Sequence, residues 1–209
     1  MGLEIDVCIV GLGPTGRALA HRAMRAGLFV TAIDARPQRL WSPTYTCWVD
    51  ELPEWLPSSV IAARLEAMTA WTSREHRIER PYCVLSNQGL RDALPLDDAT
   101  VLTGRAVRVD AHEVELADGT IVGAAMVFDT RGLPPVKQRR AVSAHGIFVP
   151  AQAAVPMVGD GEGLLLDWRA SNGTGPQEPP SFLYAVPGGR WDGGLRGNEP
   201  RTAWWHASA

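Results

Sequence analysis

The hydrophobic pattern of this chain changes period several times along its length. Leu3 to Val10 (LEIDVCIV) is a mostly apolar, β-branched run, the signature of a strand buried on both faces. Arg17 to Ala26 instead spaces Leu19, Ala20, Ala23 and Met24 along one helical face and stops at Gly27, a C-terminal helix breaker. Leu28 to Ile33 is a second apolar strand. Residues 36–57 carry Pro37, Trp41, Pro43, Trp48, Pro53, Trp55 and Pro57, which predict a packed loop rather than a regular element. Val60 to Met68 (VIAARLEAM) reads as a short helix, and His76 to Val84 as a strand broken at Pro81. Asn87 is placed to cap a helix through Leu94. From Thr100 the period is that of strands: 100–103, 106–109, a hairpin of 114–116 and 120–122 around Asp118-Gly119, and 125–128. Three further strands are expected at 146–149, 163–168 and 181–186.

Strand, helix, strand, then a β-meander and a returning strand is the order of an α/β, doubly wound, Rossmann-like domain. The expected division is a dinucleotide-binding domain over 1–140, with the Trp/Pro-rich insertion at 36–57. The start of a second, β-rich substrate domain follows over 141–187, and an irregular tail over 188–209.

The first strand runs into Gly11-Leu12-Gly13-Pro14-Thr15-Gly16, a G-x-G-x-x-G, and the helix follows at once. Alone this pattern is weak, but here it joins strand to helix, and Asp34 ends the second strand eighteen positions after the third glycine. Gly11 permits a tight turn, Gly13 lets backbone approach a pyrophosphate, and Gly16 allows close helix–strand packing. Unpaired amides and the positive end of the helix dipole favour phosphate. Asp34 suits the adenosine ribose hydroxyls, with Ala35 and Arg36 beside it. The same residues also fit a plain strand–turn–helix whose glycines serve only the turn. FAD and NAD are not separated by the fingerprint itself. The N-terminal position and the long insertion after the second strand favour FAD.

Composition narrows the alternatives. With 45% hydrophobic and 21% charged residues, the 209-residue chain is globular rather than disordered. A net charge of −3 gives no basic footprint for nucleic acid. No apolar run approaches the ~20 residues of a membrane span, and Glu4 and Asp6 interrupt what would be a signal-peptide core. Cys8, Cys47 and Cys83 lack metal or redox spacing, which fits a reducing, cytoplasmic setting. The five histidines show no metal spacing, and neither Ser143 nor Ser181 has the context of a hydrolase nucleophile.

Five ordered blocks resemble the flavoprotein lycopene cyclases of carotenoid biosynthesis, β-cyclase type. They are the fingerprint; Thr44, Tyr45, Trp48, Val49, Asp50 and Glu51; Phe128 to Gly132 (FDTRG); Leu165 to Arg169 (LLDWR); and Pro180 to Pro187 (PSFLYAVP). The resemblance covers about residues 4–187. It implies FAD, kept reduced by NAD(P)H, and an acyclic polyene substrate, lycopene, whose ψ-end groups are closed into β-rings without net redox change. A general acid would protonate the terminal double bond, the neighbouring alkene would attack the cation, and a ring proton would leave. Such a site needs a proton donor held neutral by burial and negative charge near the cation. A polyene substrate also implies peripheral membrane contact, for which the Trp-rich loop at 41–55 is the candidate surface.

By residue chemistry Asp50 and Glu51 are a solvated acidic turn over packed tryptophans; the resemblance instead puts one of them at the flavin or substrate pocket. Asp167 is equally a strand residue paired with Arg169 or a carboxylate beside the aromatic Trp168. Family members continue into an acidic E-E-T block that this chain lacks, only Asp192 and Glu199 being acidic in its last stretch. The expectation is a truncated or frameshifted reading frame from about residue 188, against the alternative of a genuine short tail. A chain so shortened would leave a sheet edge unpaired and its activity in question. Two other functions compete: an FAD/NAD(P)H-dependent oxidoreductase of hydroxylase type, and a non-catalytic nucleotide-binding remnant.

Overall fold

A computed structural model describes residues 5–132, 143–150, 152, 153, 158, 162–169, 181–188 and 201–208, with backbone alone for 143–145, 188 and 201–208. The chain divides into two compact units, Met1–Ser42 with Leu90–Pro135, and Pro43–Gly89 with Val136–Ala209.

The first unit is built on a parallel sheet. Strand β1 (Val7–Val10) lies between β2 (Val30–Asp34) and β12 (Met126–Asp129), and β2 pairs on its far side with β8 (Thr100–Thr103). All four residues of β1 are buried, as its unbroken apolar run requires of a strand covered on both faces. Helix α1 (Pro14–Arg25) has proline at its first turn and covers one face, with Ala20 and Ala23 against Val7, Ile9 and Val30. Gly27, at φ +85°, takes the left-handed position that ends the helix. On the other face Cys8, Val10 and Ile33 meet Ala106, Val114, Leu116 and Val122 of a three-stranded antiparallel meander. That meander is β9 (Ala106–Val109), β10 (Glu113–Leu116) and β11 (Ile121–Gly123). Gly119, at φ +86°, makes its tight turn between β10 and β11, as Asp118-Gly119 predicts.

In the second unit β7 (Tyr82–Leu85) pairs antiparallel with β3 (Thr46–Trp48) and β4 (Ile61–Leu65). A six-stranded sheet contains β5 (Met68–Trp71), β6 (Glu75–Ile78), β13 (Ser143–Pro150), β14 (Gly163–Asp167), β15 (Ser181–Gly188) and β16 (Arg201–Ser208). Helix α2 (Asn87–Ala93) crosses from this unit into the first; Asn87 is its first residue rather than its cap, and Ser86 Oγ accepts the Gly89 amide at 2.9 Å instead.

The sequence-based expectations need correcting in four further places. Residues 60–68 are not a helix: Ile61 to Leu65 alternates half-buried and exposed positions against β7, and β-pairing overrides the helix preference of Ala, Leu and Glu. The 36–57 segment is not wholly irregular, since β3 and a 3₁₀ turn at Val49–Glu51 lie within it. Nor is 188–209 irregular throughout, because β16 pairs along eight residues with both β13 and β15. Residues 43–89 group with the later strands rather than with the first unit.

Candidate functional site

The loop between β1 and α1 is where the glycine pattern becomes geometry. Gly11 has φ +98°, and its amide donates to the Ile33 carbonyl at 2.7 Å, drawing the loop onto the end of β2. A Cβ at residue 16 would lie 1.9 Å from the Gly11 carbonyl oxygen and 2.3 Å from Thr130 Oγ1. Gly16 is therefore a packing requirement. Gly13 differs: nothing lies within 4 Å of where its Cβ would be, so the loop is open on that side and no side chain plugs it. Helix α1 has no side-chain cap and no acidic residue in its first turn. Its first amides lack intrahelical acceptors and face an approach that an anion can use.

Asp34 sits at the end of β2 as expected, but its contacts are richer than a ribose acceptor needs. Oδ2 accepts the Leu12 amide at 2.7 Å and Oδ1 accepts the Arg36 amide at 2.6 Å. One carboxylate thus fixes both the glycine-rich loop and the turn after β2, and each oxygen keeps a lone pair for a further donor. Ala35, Arg36 and Thr15 are exposed, and Pro14 starts the helix.

Four residues of this site escaped the sequence reading. Thr130, at the end of β12, donates from Oγ1 to the Gly11 carbonyl (2.8 Å) and lies 3.0 Å from the Val10 carbonyl. Arg131 packs its backbone and side chain against Gly11, pairs through two nitrogens with Asp129 (2.9 and 2.7 Å), and donates to the Ala106 carbonyl at 2.8 Å. Trp41 is buried and donates from Nε1 to the Leu12 carbonyl at 3.0 Å, with the Arg91 guanidinium 5.8 Å from its ring centroid. Arg17 follows Gly16 directly in the helix. The FDTRG run was the available signal for Thr130 and Arg131; nothing local marks Trp41 or Arg17.

The second unit holds the acidic candidates, each against an arginine. Arg80 Nε donates to both Asp50 oxygens at 3.0 Å and its Nη2 donates to Glu51 Oε1 at 2.9 Å. The same guanidinium lies 4.8 Å over the Trp48 ring, which also meets Tyr82 edge-on at 4.8 Å. Asp50 and Glu51 are exposed, and hydrogen bonding to Arg80 holds the Asp50 carboxyl below its usual range. Asp167 is buried and takes Arg169 through Nε (2.9 Å) and Nη2 (2.5 Å), which likewise lowers its pKa. Arg169 in turn covers Trp71 at 4.4 Å. Neither Asp50 nor Asp167 has the neutral, buried setting of a proton donor, and Glu51 is exposed.

A hydroxyl cluster lies nearby in the same unit. Tyr82 donates to Thr46 Oγ1 at 2.8 Å, and Tyr184 approaches the same oxygen at 3.3 Å. Burial pushes the Tyr184 phenol well above its ordinary pKa, so it stays protonated.

Comparison with known proteins accords with this geometry. Residues 6–191 match the family model described as lycopene cyclase protein. A chloroplastic lycopene beta cyclase of an Oncidium hybrid cultivar is 30% identical over 88% of this chain and 43% of its own length. An uncharacterized carotenoid cyclase of Deinococcus radiodurans is 27% identical over 87% of this chain and 47% of its own. The chain thus spans less than half the length of these curated relatives. Among solved structures, pqsL of Pseudomonas aeruginosa, titled "a probable FAD-dependent monooxygenase", superposes with a TM-score of 0.64 at 13% identity, over 98% of this chain and 60% of that one. A 2,6-dihydroxypyridine-3-hydroxylase of Arthrobacter nicotinovorans gives 0.61 at 16%, over 97% and 56%. The solved structures speak for the fold alone, a Rossmann-like α/β one, and the sequence matches for kinship: the chain belongs to the lycopene cyclase family.

Proposed function

We propose that this chain is part of an FAD-dependent carotenoid cyclase that closes the ψ-end groups of an acyclic polyene, lycopene, into β-rings. The family match over residues 6–191, with an open glycine-rich loop at its start, is the observation that carries this reading. Gly11, Gly13, Pro14, Thr15 and Gly16 would hold the diphosphate, and Asp34 the ribose, with Ala35 and Arg36 alongside. The uncapped helix end and the unfilled space at Gly13 fit that group. Reduced FAD, replenished by NAD(P)H, would supply negative charge beside the cation formed on the substrate.

The chain's own groups divide the remaining work. Asp167, ionised and buried, suits electrostatic stabilisation of a cation better than delivery of the first proton. Asp50 and Glu51 serve through Arg80, which they fix against Trp48. Peripheral membrane contact within 41–55 would fall to Trp55, which is exposed, rather than to the buried Trp41. No helix among the described residues is long and apolar enough to cross a membrane.

The test is cyclisation of lycopene in lipid vesicles with FAD and NAD(P)H, followed by chromatography of the pigments. Ring formation with only catalytic reductant supports the proposal. Nucleotide oxidised in proportion to product would favour the hydroxylase-type reading, and a flavin spectrum without turnover the non-catalytic one.

A further inference from the structure

Each peptide group of the glycine-rich loop has a traceable destination. The Val10 carbonyl accepts the Thr130 amide, and the Gly11 amide goes to the Ile33 carbonyl. The Gly11–Leu12 peptide is held at both ends, its carbonyl by Thr130 Oγ1 and its amide by Asp34. The Gly13 carbonyl accepts the Arg17 amide at 2.9 Å. The Leu12–Gly13 peptide is held at one end only. Its carbonyl accepts Trp41 Nε1 at 3.0 Å, while the Gly13 amide makes no hydrogen bond among the described residues.

That peptide is trans, so its N–H points opposite to its carbonyl and hence away from the indole. The loop itself does not fix this direction. Pro14 confines Gly13 to extended ψ, here 178°, but φ turns with the Leu12–Gly13 peptide, and glycine has little preference there. Trp41 supplies the missing constraint, and it is itself held in place. The residue is buried, Arg91 lies 5.8 Å from its ring centroid, and Arg91 Nη1 donates to the Arg39 carbonyl at 2.8 Å. The space beside Gly13 is open.

We infer that Trp41 is a positioning residue of the dinucleotide site: by holding the Leu12 carbonyl it keeps the Gly13 amide turned toward a phosphate oxygen of the diphosphate. This rests on reading the loop as a dinucleotide site.

The experiment uses the full chain as wild type and Trp41→Phe, which keeps a ring and loses the N–H. FAD, ADP and adenosine are titrated by calorimetry, and isotope-labelled wild type is titrated with ADP and adenosine by NMR. Trp41→Phe should raise the dissociation constants of FAD and ADP about tenfold and leave adenosine within about twofold, because only the phosphate loses a donor. In wild type the Gly13 amide and Trp41 indole resonances should both shift with ADP and stay put with adenosine, since two bonds to one peptide polarise each other. A merely structural tryptophan would weaken ADP and adenosine alike. An unchanged ratio of the two affinities in Trp41→Phe therefore overturns the inference while leaving the site reading intact. Should Trp41→Phe not fold, the wild-type resonances decide, and an indole signal indifferent to ADP overturns it. Wild-type protein that binds neither FAD nor ADP sinks the site reading and this inference together.

Discussion

Thr130 Oγ1 donates to the Gly11 carbonyl at 2.8 Å from a strand end 119 residues away in sequence. It thereby occupies the space a Cβ at residue 16 would need. The glycine-rich loop is therefore held from two sides, by Asp34 through the Leu12 amide and by Thr130 through the Gly11 carbonyl. Arg131, forked onto Asp129 and resting on Gly11, closes the third side. The loop's shape is a product of three strand ends rather than of its own glycines.

The glycines consequently divide by role, and alanine at each should separate stability from binding. Gly16→Ala forces a methyl into the Gly11 carbonyl and Thr130, and should cost about 3 kcal/mol. Gly13→Ala meets no atom of the chain, so melting should change by less than about 1 kcal/mol while FAD affinity falls at least about tenfold. Thermal melts beside flavin titrations check both; unimpaired FAD binding by Gly13→Ala would refute the role given to the open side.

Asp34 accepts two backbone amides, one per oxygen. Asparagine keeps one acceptor and turns an NH2 toward the other amide, leaving donor facing donor. Asp34→Asn should therefore lower melting by about 1–2 kcal/mol and weaken FAD binding, whereas Asp34→Glu should spare charge but not loop geometry. Equal stability of Asp34→Asn and wild type would show that the carboxylate serves the ribose alone.

Stability at low pH should report Asp167. Its folded pKa lies below the unfolded value of about 3.9 because Arg169 is bonded to it. The contribution is present above that unfolded value and disappears as pH falls through the lower folded one. Wild type should exceed Asp167→Asn by about 1 kcal/mol between pH 5 and 7, the half-exposed Arg169 limiting the gain, and the gap should close toward pH 2. A gap independent of pH over that range would assign the difference to packing instead.

The thiols of Cys47 and Cys83 face each other across β3 and β7 at 3.6 Å. Burial, and then the bond to Cys83, pushes the Cys47 thiol up to about 12. Iodoacetamide should accordingly label native Cys47 far more slowly at pH 7 than in unfolded chain, with the rate rising through pH 9, followed by mass spectrometry. Rapid labelling of native protein at neutral pH would mean an exposed thiolate.

Most of the first unit was legible in sequence because its information is local. An all-apolar β1, a glycine-bounded α1 and an acid after β2 each state their conformation within a few residues, and the meander declares itself through alternation and Asp118-Gly119. Residues 60–68 misled because helix-forming side chains lie there in a segment whose partner, β7, lies elsewhere in the chain. Only the paired strand makes extended backbone the better choice.

What the sequence by itself determined is a nucleotide-type β–α–β opening, its three glycines and acid, and kinship with a family of cyclases. Tertiary structure decided the rest. It alone brought Thr130, Arg131 and Trp41 to the loop, set Asp50, Glu51 and Asp167 against arginines, and left Arg17 Nε buried without an acceptor. The physical reason is range: backbone preference and hydrophobic period act over a few residues. Ion pairing, burial and steric exclusion depend on which distant segments the fold makes neighbours.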